Sequence, residues 1–163
     1  MNYRDIEDVF VNGKCLKDIL ADREKEVDLR NADLSYVDLG CVNLYDVDLR
    51  DANLEGANLY GADLCGIDLG GTILRYANLS GVNLSGADLC GADLSYANLS
   101  FANLKYSDLS YAYLVNSNLF GANLYDVDLD GADLSFANLN NADLRCVDLS
   151  NVNLNNVDLN GTY

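Results

Sequence analysis

The sequence predicts a solenoid of stacked coils, and three observations predict it. A leucine recurs at every fifth residue from Leu29 to Leu159, twenty-seven in all, without one substitution or slip of register. Two residues before each leucine stands a small or β-branched residue: 14 Ala, 9 Val, Ile67, Thr72, Ser107 and Ser117. The residue immediately before each leucine is Asp (14) or Asn (11), with Ile73 and Tyr113 as the two exceptions. The five positions are labelled i−2, i−1, i (the leucine), i+1 and i+2.

A period of five suits neither regular element. On an α-helix five residues advance about 140° net, so the leucines would spiral over every face. On a flat strand they would alternate sides. Each unit must therefore bend so that the next leucine returns to the same interior. Nine i+2 positions are Gly, at 56, 61, 66, 71, 81, 86, 91, 121 and 131, with Gly161 a tenth at the ragged end, as a type II turn with φ > 0 would favour. Proline is absent, which fits coils that need their backbone N–H groups for stacking.

The pattern, as in Ala87-Asp88-Leu89-Cys90-Gly91-Ala92-Asp93-Leu94, resembles the pentapeptide-repeat family over residues 27–161. The resemblance implies an all-β solenoid, a right-handed quadrilateral β-helix with four repeats per coil. The 27 repeats then make about seven coils, with i and i−2 inward and the other three positions outward. At about 4.8 Å per coil the rod is roughly 32 Å long. Leu fills the axis, Ala at i−2 lets backbone approach the leucine layers, and stability comes from stacking neighbouring coils.

A solenoid has two ends with unpaired edges. Residues 1–26 are expected to cap one. Val9, Phe10 and Val11 read as a strand, Asn12-Gly13 as a turn, and Leu16, Ile19 and Leu20 as the apolar stripe of a helix over about residues 14–24. Residues 162–163 form a tail. The C-terminal coil is expected either to be shielded by Tyr163 or to be buried in an end-to-end homodimer.

Composition narrows the function classes. The chain has 163 residues, 10 Lys plus Arg, 26 Asp plus Glu and no His, a formal charge of −16. That charge argues against direct binding to nucleic acid, and the missing His removes the commonest general base and metal ligand. The five cysteines are scattered with no CxxC spacing, which predicts reduced thiols and neither a disulfide framework nor a metal site. No apolar run is long enough to span a membrane, and the N-terminus lacks the apolar core of a signal peptide, so a cytoplasmic location is expected. Neither cofactor nor catalysis is expected. A convex prism offers no water-excluding cleft, and its surface Asp, pairs such as Asp126 and Asp128 included, should titrate near the ordinary carboxylate value. Ice binding is set aside because Thr72 and Thr162 are the only threonines.

With four repeats per coil, residues 20 apart stack, and sorting by 20 gives columns. One face carries Asp28, Asp48, Asp68, Asp88, Asp108, Asp128 and Asp148, all at i−1. Another carries Asn58, Asn78, Asn98, Asn118 and Asn138, a candidate amide ladder. Asp and Asn both serve turns through side-chain-to-backbone bonds. The all-Asp column also reads as an anionic stripe for a basic partner or as a phosphate-backbone mimic. A third face is apolar outside, with Tyr36, Tyr76, Tyr96 and Phe136 at i+2, Ile73 and Tyr113 at i−1, and Val115 at i+1. Beside it Tyr96, Phe101, Tyr106 and Tyr111 occupy four consecutive corners. These aromatics either shield corner backbone or form a partner site.

The function expected is a non-catalytic scaffold that presents the acidic column and the aromatic face to a protein partner. The family resemblance implies a second reading, a bacterial DNA mimic that binds a type II topoisomerase and protects it from quinolones.

Overall fold

The computed structural model describes residues 4–11, 14–21, 27–45 and 47–163. Its organisation follows from where the five N–H groups of each repeat go. The leucine N–H donates to the i−1 carbonyl one coil on, as Leu99 does to Asn118 at 2.7 Å. The i+2 N–H donates to the next coil's i+1 carbonyl, as Phe101 does to Phe120 at 2.9 Å. The i−1 N–H reaches back to the i−2 carbonyl of the previous coil, as Asn118 does to Ala97 at 3.0 Å. The N–H of the following i−2 residue closes a β-turn on the leucine carbonyl, as Ala102 does on Leu99 at 3.0 Å. The i+1 N–H donates to the i−1 side chain, as Ser100 does to Asn98 Oδ1 at 3.2 Å. In a regular repeat with Asp or Asn at i−1 all five N–H groups are thus used, which is why proline has no place in it.

Parallel bridges join residues 20 apart along all four sides, for example Asn58↔Asn78↔Asn98↔Asn118↔Asn138. The coils therefore wind into a four-sided β-helix. Only the i−1 residue of each side forms a rung, because two of the five residues belong to the turn. The sheets consist of single rungs, and among the described residues of the repeats the only strands are β3 (Val27–Asp28) and β4 (Val47–Asp48). The corners depart from the expectation that glycine marks the φ > 0 positions. Tyr76, Tyr96, Phe101, Tyr106, Tyr111 and Phe136 share φ near +60° with the glycines, because the turn imposes it on whatever residue stands there. Of the described i+2 residues, only Asn151 lies outside that region.

The core is one cluster of leucines with Ala or Val between them, running unbroken from Val9 to Ala142. The hydroxyls of Thr72, Ser107 and Ser117, buried at i−2, donate to the preceding leucine carbonyl at 2.6–2.7 Å. Bulk at i−2 has one visible cost. Among the described residues the rungs Asp48↔Asp68 and Asp128↔Asp148 are missing, and so are the bonds from Leu49 and Leu129 to the next coil. There Val47 stacks on Ile67 and Val127 on Val147, whereas elsewhere along the rod, Val27 over Val47 in the first coil apart, a small residue separates β-branched ones. Carboxylate repulsion is not the cause, since Asp68, Asp88, Asp108 and Asp128 keep their rungs. Val27 over Val47 also keeps its rung, at the first coil.

The N-terminal segment differs from the expectation. β1 (Phe10–Val11) pairs antiparallel with β2 (Lys14–Cys15), and helix α1 covers Leu16–Ala21. Position 14 is thus strand and not helix. The turn at 12–13 and the expected helix beyond residue 21 lie outside the described residues. Val9, Leu16 and Leu20 enter the core, and Arg4 forms a parallel bridge with Val37, an i−2 residue, one position off the register of the rungs between coils. At the other end Tyr163 does not shield the coil. Its backbone pairs with Leu144 and Ala142, but its side chain is 77% exposed, and Leu144, Leu149 and Leu154 are only half-buried.

Candidate interaction surfaces

The Asp face is uneven in charge. Arg30 binds Asp28 at 2.8 Å and reaches Asp48 at 3.4 Å; Arg50 binds Asp48 at 2.6 Å and reaches Asp68 at 3.6 Å. Among the described residues no cation pairs with Asp88, Asp108, Asp128 or Asp148. The uncompensated stretch is the C-terminal half, where Asp130 joins it. The expectation of ordinary carboxylate titration fails at several of these groups. The Arg30 guanidinium, followed by the Arg30 backbone N–H, holds Asp28 down at about 2. Arg50 lowers Asp48, and the Ser150 backbone N–H lowers Asp148. Beside the missing Asp128↔Asp148 rung lies a cavity of about 320 Å³ lined by Asp126, Asp128, Asp130, Asp148, Cys146 and Asn151. Among the described residues no group of three or more His, Cys, Asp or Glu is placed to hold a metal ion.

The Asn column forms the expected ladder. Each Nδ2 donates to the Oδ1 one coil before, from Asn78→Asn58 at 3.0 Å to Asn138→Asn118 at 3.0 Å, and Asn58 donates to Asp38 at 2.8 Å. The same Oδ1 atoms accept the i+1 N–H, as Asn78 does from Ser80 and Asn118 from Phe120. Asp supplies the acceptor but has no donor, so the Asp column has no such ladder.

On the third face Asn53, Ile73, Asp93, Tyr113 and Asp133 are successive rungs. Ile73 and Tyr113 carry no acceptor for the i+1 N–H of Arg75 and Val115, and both stand exposed, at 41% and 55%. At the neighbouring corner Tyr76 and Tyr96 stack at 5.0 Å. Arg75 lies over both rings at 5.5 and 5.8 Å and reaches Asp93 at 3.4 Å. Phe136 stands on the same corner column. Tyr36 lies two coils away from Tyr76, its ring over Gly56. Between rungs and corners runs the i+1 strip, recessed where Ser95 and Ser135 are buried.

The corner aromatics also brace the rod. Phe101 covers Gly121, Tyr111 covers Gly131, and Phe101 and Tyr106 meet Phe120 and Tyr125 edge-on at 5.4 and 5.8 Å. The shielding role is therefore met, yet these rings remain largely exposed. Sequence reasoning missed one cluster. Lys105 lies over Tyr106 and Tyr125 at 4.5 and 4.9 Å, and Arg145 over Tyr125 at 5.7 Å. The signal was the spacing of 20 between Lys105, Tyr125 and Arg145 at i+1.

A family model of pentapeptide repeats matches in 8 copies, over residues 25–51, 52–89, 83–121, 97–135 and 122–161. No curated protein matches the chain. Among solved structures it is similar to HetL of the cyanobacterium Nostoc sp. strain PCC 7120, a pentapeptide repeat protein involved in heterocyst differentiation regulation. That identity is 33%, covering 85% of this chain and 72% of HetL, with a TM-score of 0.53. It is similar too to alr5209, a pentapeptide repeat protein from Nostoc, at 29% identity over 80% of this chain and 98% of that one, with a TM-score of 0.51. The match runs along nearly every coil whose rungs and turns are described above, and the chain belongs to the pentapeptide-repeat family, whose members form right-handed β-helices.

Proposed function

We propose that the protein is a non-catalytic interaction module. Its 27 repeats form a rod of about seven coils, capped by the N-terminal hairpin and helix, that offers an acidic column and an aromatic face to a protein partner. The observation that carries this reading is the pair Ile73 and Tyr113. Every other described repeat spends its i−1 side chain on the turn, whereas these two leave a turn N–H unserved and put apolar surface into solvent two coils apart on one face. The partner's basic groups would meet Asp88, Asp108, Asp128 and Asp148, the uncompensated part of the column. The working location is cytoplasmic, and the half-buried leucines of the last coil are where an end-to-end homodimer would close.

The test is affinity capture with three baits: the chain itself, Tyr76→Ser/Tyr96→Ser/Tyr113→Ser, and Asp88→Asn/Asp108→Asn/Asp128→Asn. The second bait should lose the partner, and the third should hold it less well at low salt and with a weaker dependence on salt than the unaltered chain. If both variants retain every partner, the module reading is wrong. Light scattering on the same preparation should read twice 17.7 kDa; the monomer mass removes the homodimer.

A second reading is favoured by linear charge density. The repeats hold 19 acidic and 5 basic residues, roughly one net charge per 2.3 Å of rod at about 4.8 Å per coil. Duplex DNA carries one per about 1.7 Å. A DNA mimic acting on a type II topoisomerase would inhibit gyrase supercoiling or relieve quinolone inhibition, and no effect in either assay discards it.

A further inference from the structure

We propose that the face bearing Ile73 and Tyr113 docks an amphipathic α-helix of the partner, lying along the rod axis with a stripe that is apolar at i and i+7 and basic at i+10. The proposal rests on the interaction-module reading and names the partner's chemistry for the same face.

The argument is one of period and charge. Ile73, Asp93, Tyr113 and Asp133 are consecutive rungs, so they recur at about 4.8 Å. An α-helix rises about 1.5 Å per residue, so one coil corresponds to about 3.2 helical residues. Helix positions i, i+3, i+7 and i+10 therefore meet the four rungs in turn. An extended strand presents one side only every ~6.6 Å and falls out of step after one coil.

The chemistry of the rungs then sets the stripe. Ile73 and Tyr113 call for apolar residues at i and i+7. Asp93 is already engaged by Arg75, so i+3 takes a small or neutral polar residue. Asp133 has Ser135 N–H and Asn153 as neighbours but, among the described residues, no cation, and it calls for Lys or Arg at i+10. The stacked Tyr76–Tyr96 pair, with Arg75 across it, walls one side of the track. The recessed Ser95 gives the helix room. A net charge of −16 favours a basic partner at long range.

The variants that test this do not threaten the fold. Asn is a residue the repeat accepts at i−1, so Ile73→Asn and Tyr113→Asn restore the turn bond while removing the apolar contact. A display library randomised on one face of a helical miniprotein, and a second library of linear peptides broken by proline, are selected on the full-length chain. Anisotropy then compares binders on the chain and its variants. The expected result is binders from the helical library carrying the stripe. They should weaken at least about tenfold on Ile73→Asn/Tyr113→Asn and about threefold on Asp133→Asn, and stay unchanged on Asp88→Asn/Asp108→Asn/Asp128→Asn. Binders drawn only from the proline-broken library, or helical binders indifferent to Ile73→Asn/Tyr113→Asn, overturn the helix track. Binders that instead require the Asp column overturn the track and leave the module reading standing. No binder from either library overturns both.

Discussion

At i−1 one atom separates Asp from Asn. Both give the turn its acceptor, and only Asn adds the Nδ2 donor that links coils, as in Asn118→Asn98 at 3.1 Å. At i+2 the decisive property is φ. Glycine meets it freely, and any other residue bears a cost of about 1 kcal/mol. The aromatic corners recover that cost by covering the coil below. Two glycines should therefore respond differently. A Cβ on Gly121 would lie 2.9 Å from the Phe101 ring, whereas on Gly86 it would meet nothing within 4 Å. Gly86→Ala should cost about 1 kcal/mol, the backbone term alone, and Gly121→Ala about 2–3 kcal/mol as the ring is displaced. Urea unfolding of the two variants checks the order. The hydrogen-bonding reason for Asp and Asn was legible in the sequence, because both residue types serve turns. The sharing of φ > 0 by tyrosine and phenylalanine was not, because propensity at a single site is weaker than what a closed coil imposes.

The element of this fold is the coil, and its integrity depends on residues 20 apart. Val127 over Val147 leaves the amides of Leu129 and Asp148 without their ladder partners among the described residues, while Ser107 under Val127 keeps the rung. At Val127 and Val147 two branched side chains crowd a spacing of about 4.8 Å beside the leucine layer and push the backbones apart, whereas at the first coil Val27 and Val47 fit with their rung intact. Val147→Ala should close the Asp128↔Asp148 rung. Amide hydrogen exchange at Leu129 is expected to slow by about tenfold or more, against little change at Leu99, whose bond to Asn118 is already made. An unchanged rate at Leu129 would show that something other than side-chain bulk holds the coils apart. The column listing of i−2 residues contained this pairing. What it lacked was the tolerance of the interior, which packing alone sets. The N-terminal element was legible only in part: the apolar residues Val9, Leu16 and Leu20 were identifiable, but the second strand at Lys14–Cys15 arises from hairpin pairing with Phe10–Val11.

For the whole molecule the charge has structural consequences as well as functional ones. The carboxyls of Asp28, Asp33, Asp48, Asp143 and Asp148 all lie below their ordinary range, Asp28 at about 2, through partners that exist only in the folded chain. A lowered carboxylate pKa contributes stability above the unfolded value, and the contribution is lost as pH falls through the folded value. Tm should therefore hold steady from neutral pH to about pH 4 and fall between about pH 4 and pH 2. The fall should be smaller in Asp28→Asn, measured by thermal scans over that range. A Tm that rises on acidification would mean that relief of repulsion along the Asp column outweighs these bonds.

The sequence by itself determined the period, the inward and outward positions, the family resemblance and the columns, because a repeat of fixed length with a bend in each unit leaves one way to bury its leucines. Tertiary structure decided which of those columns interact and how. Asn lines become ladders, the Asp line divides into a half neutralised by Arg30 and Arg50 and a half that is not, and two stretches of one side lose their rungs. Each of these depends on distances of a few ångströms between residues 20 apart, set by how closely the coils stack, and a one-dimensional period does not carry that spacing.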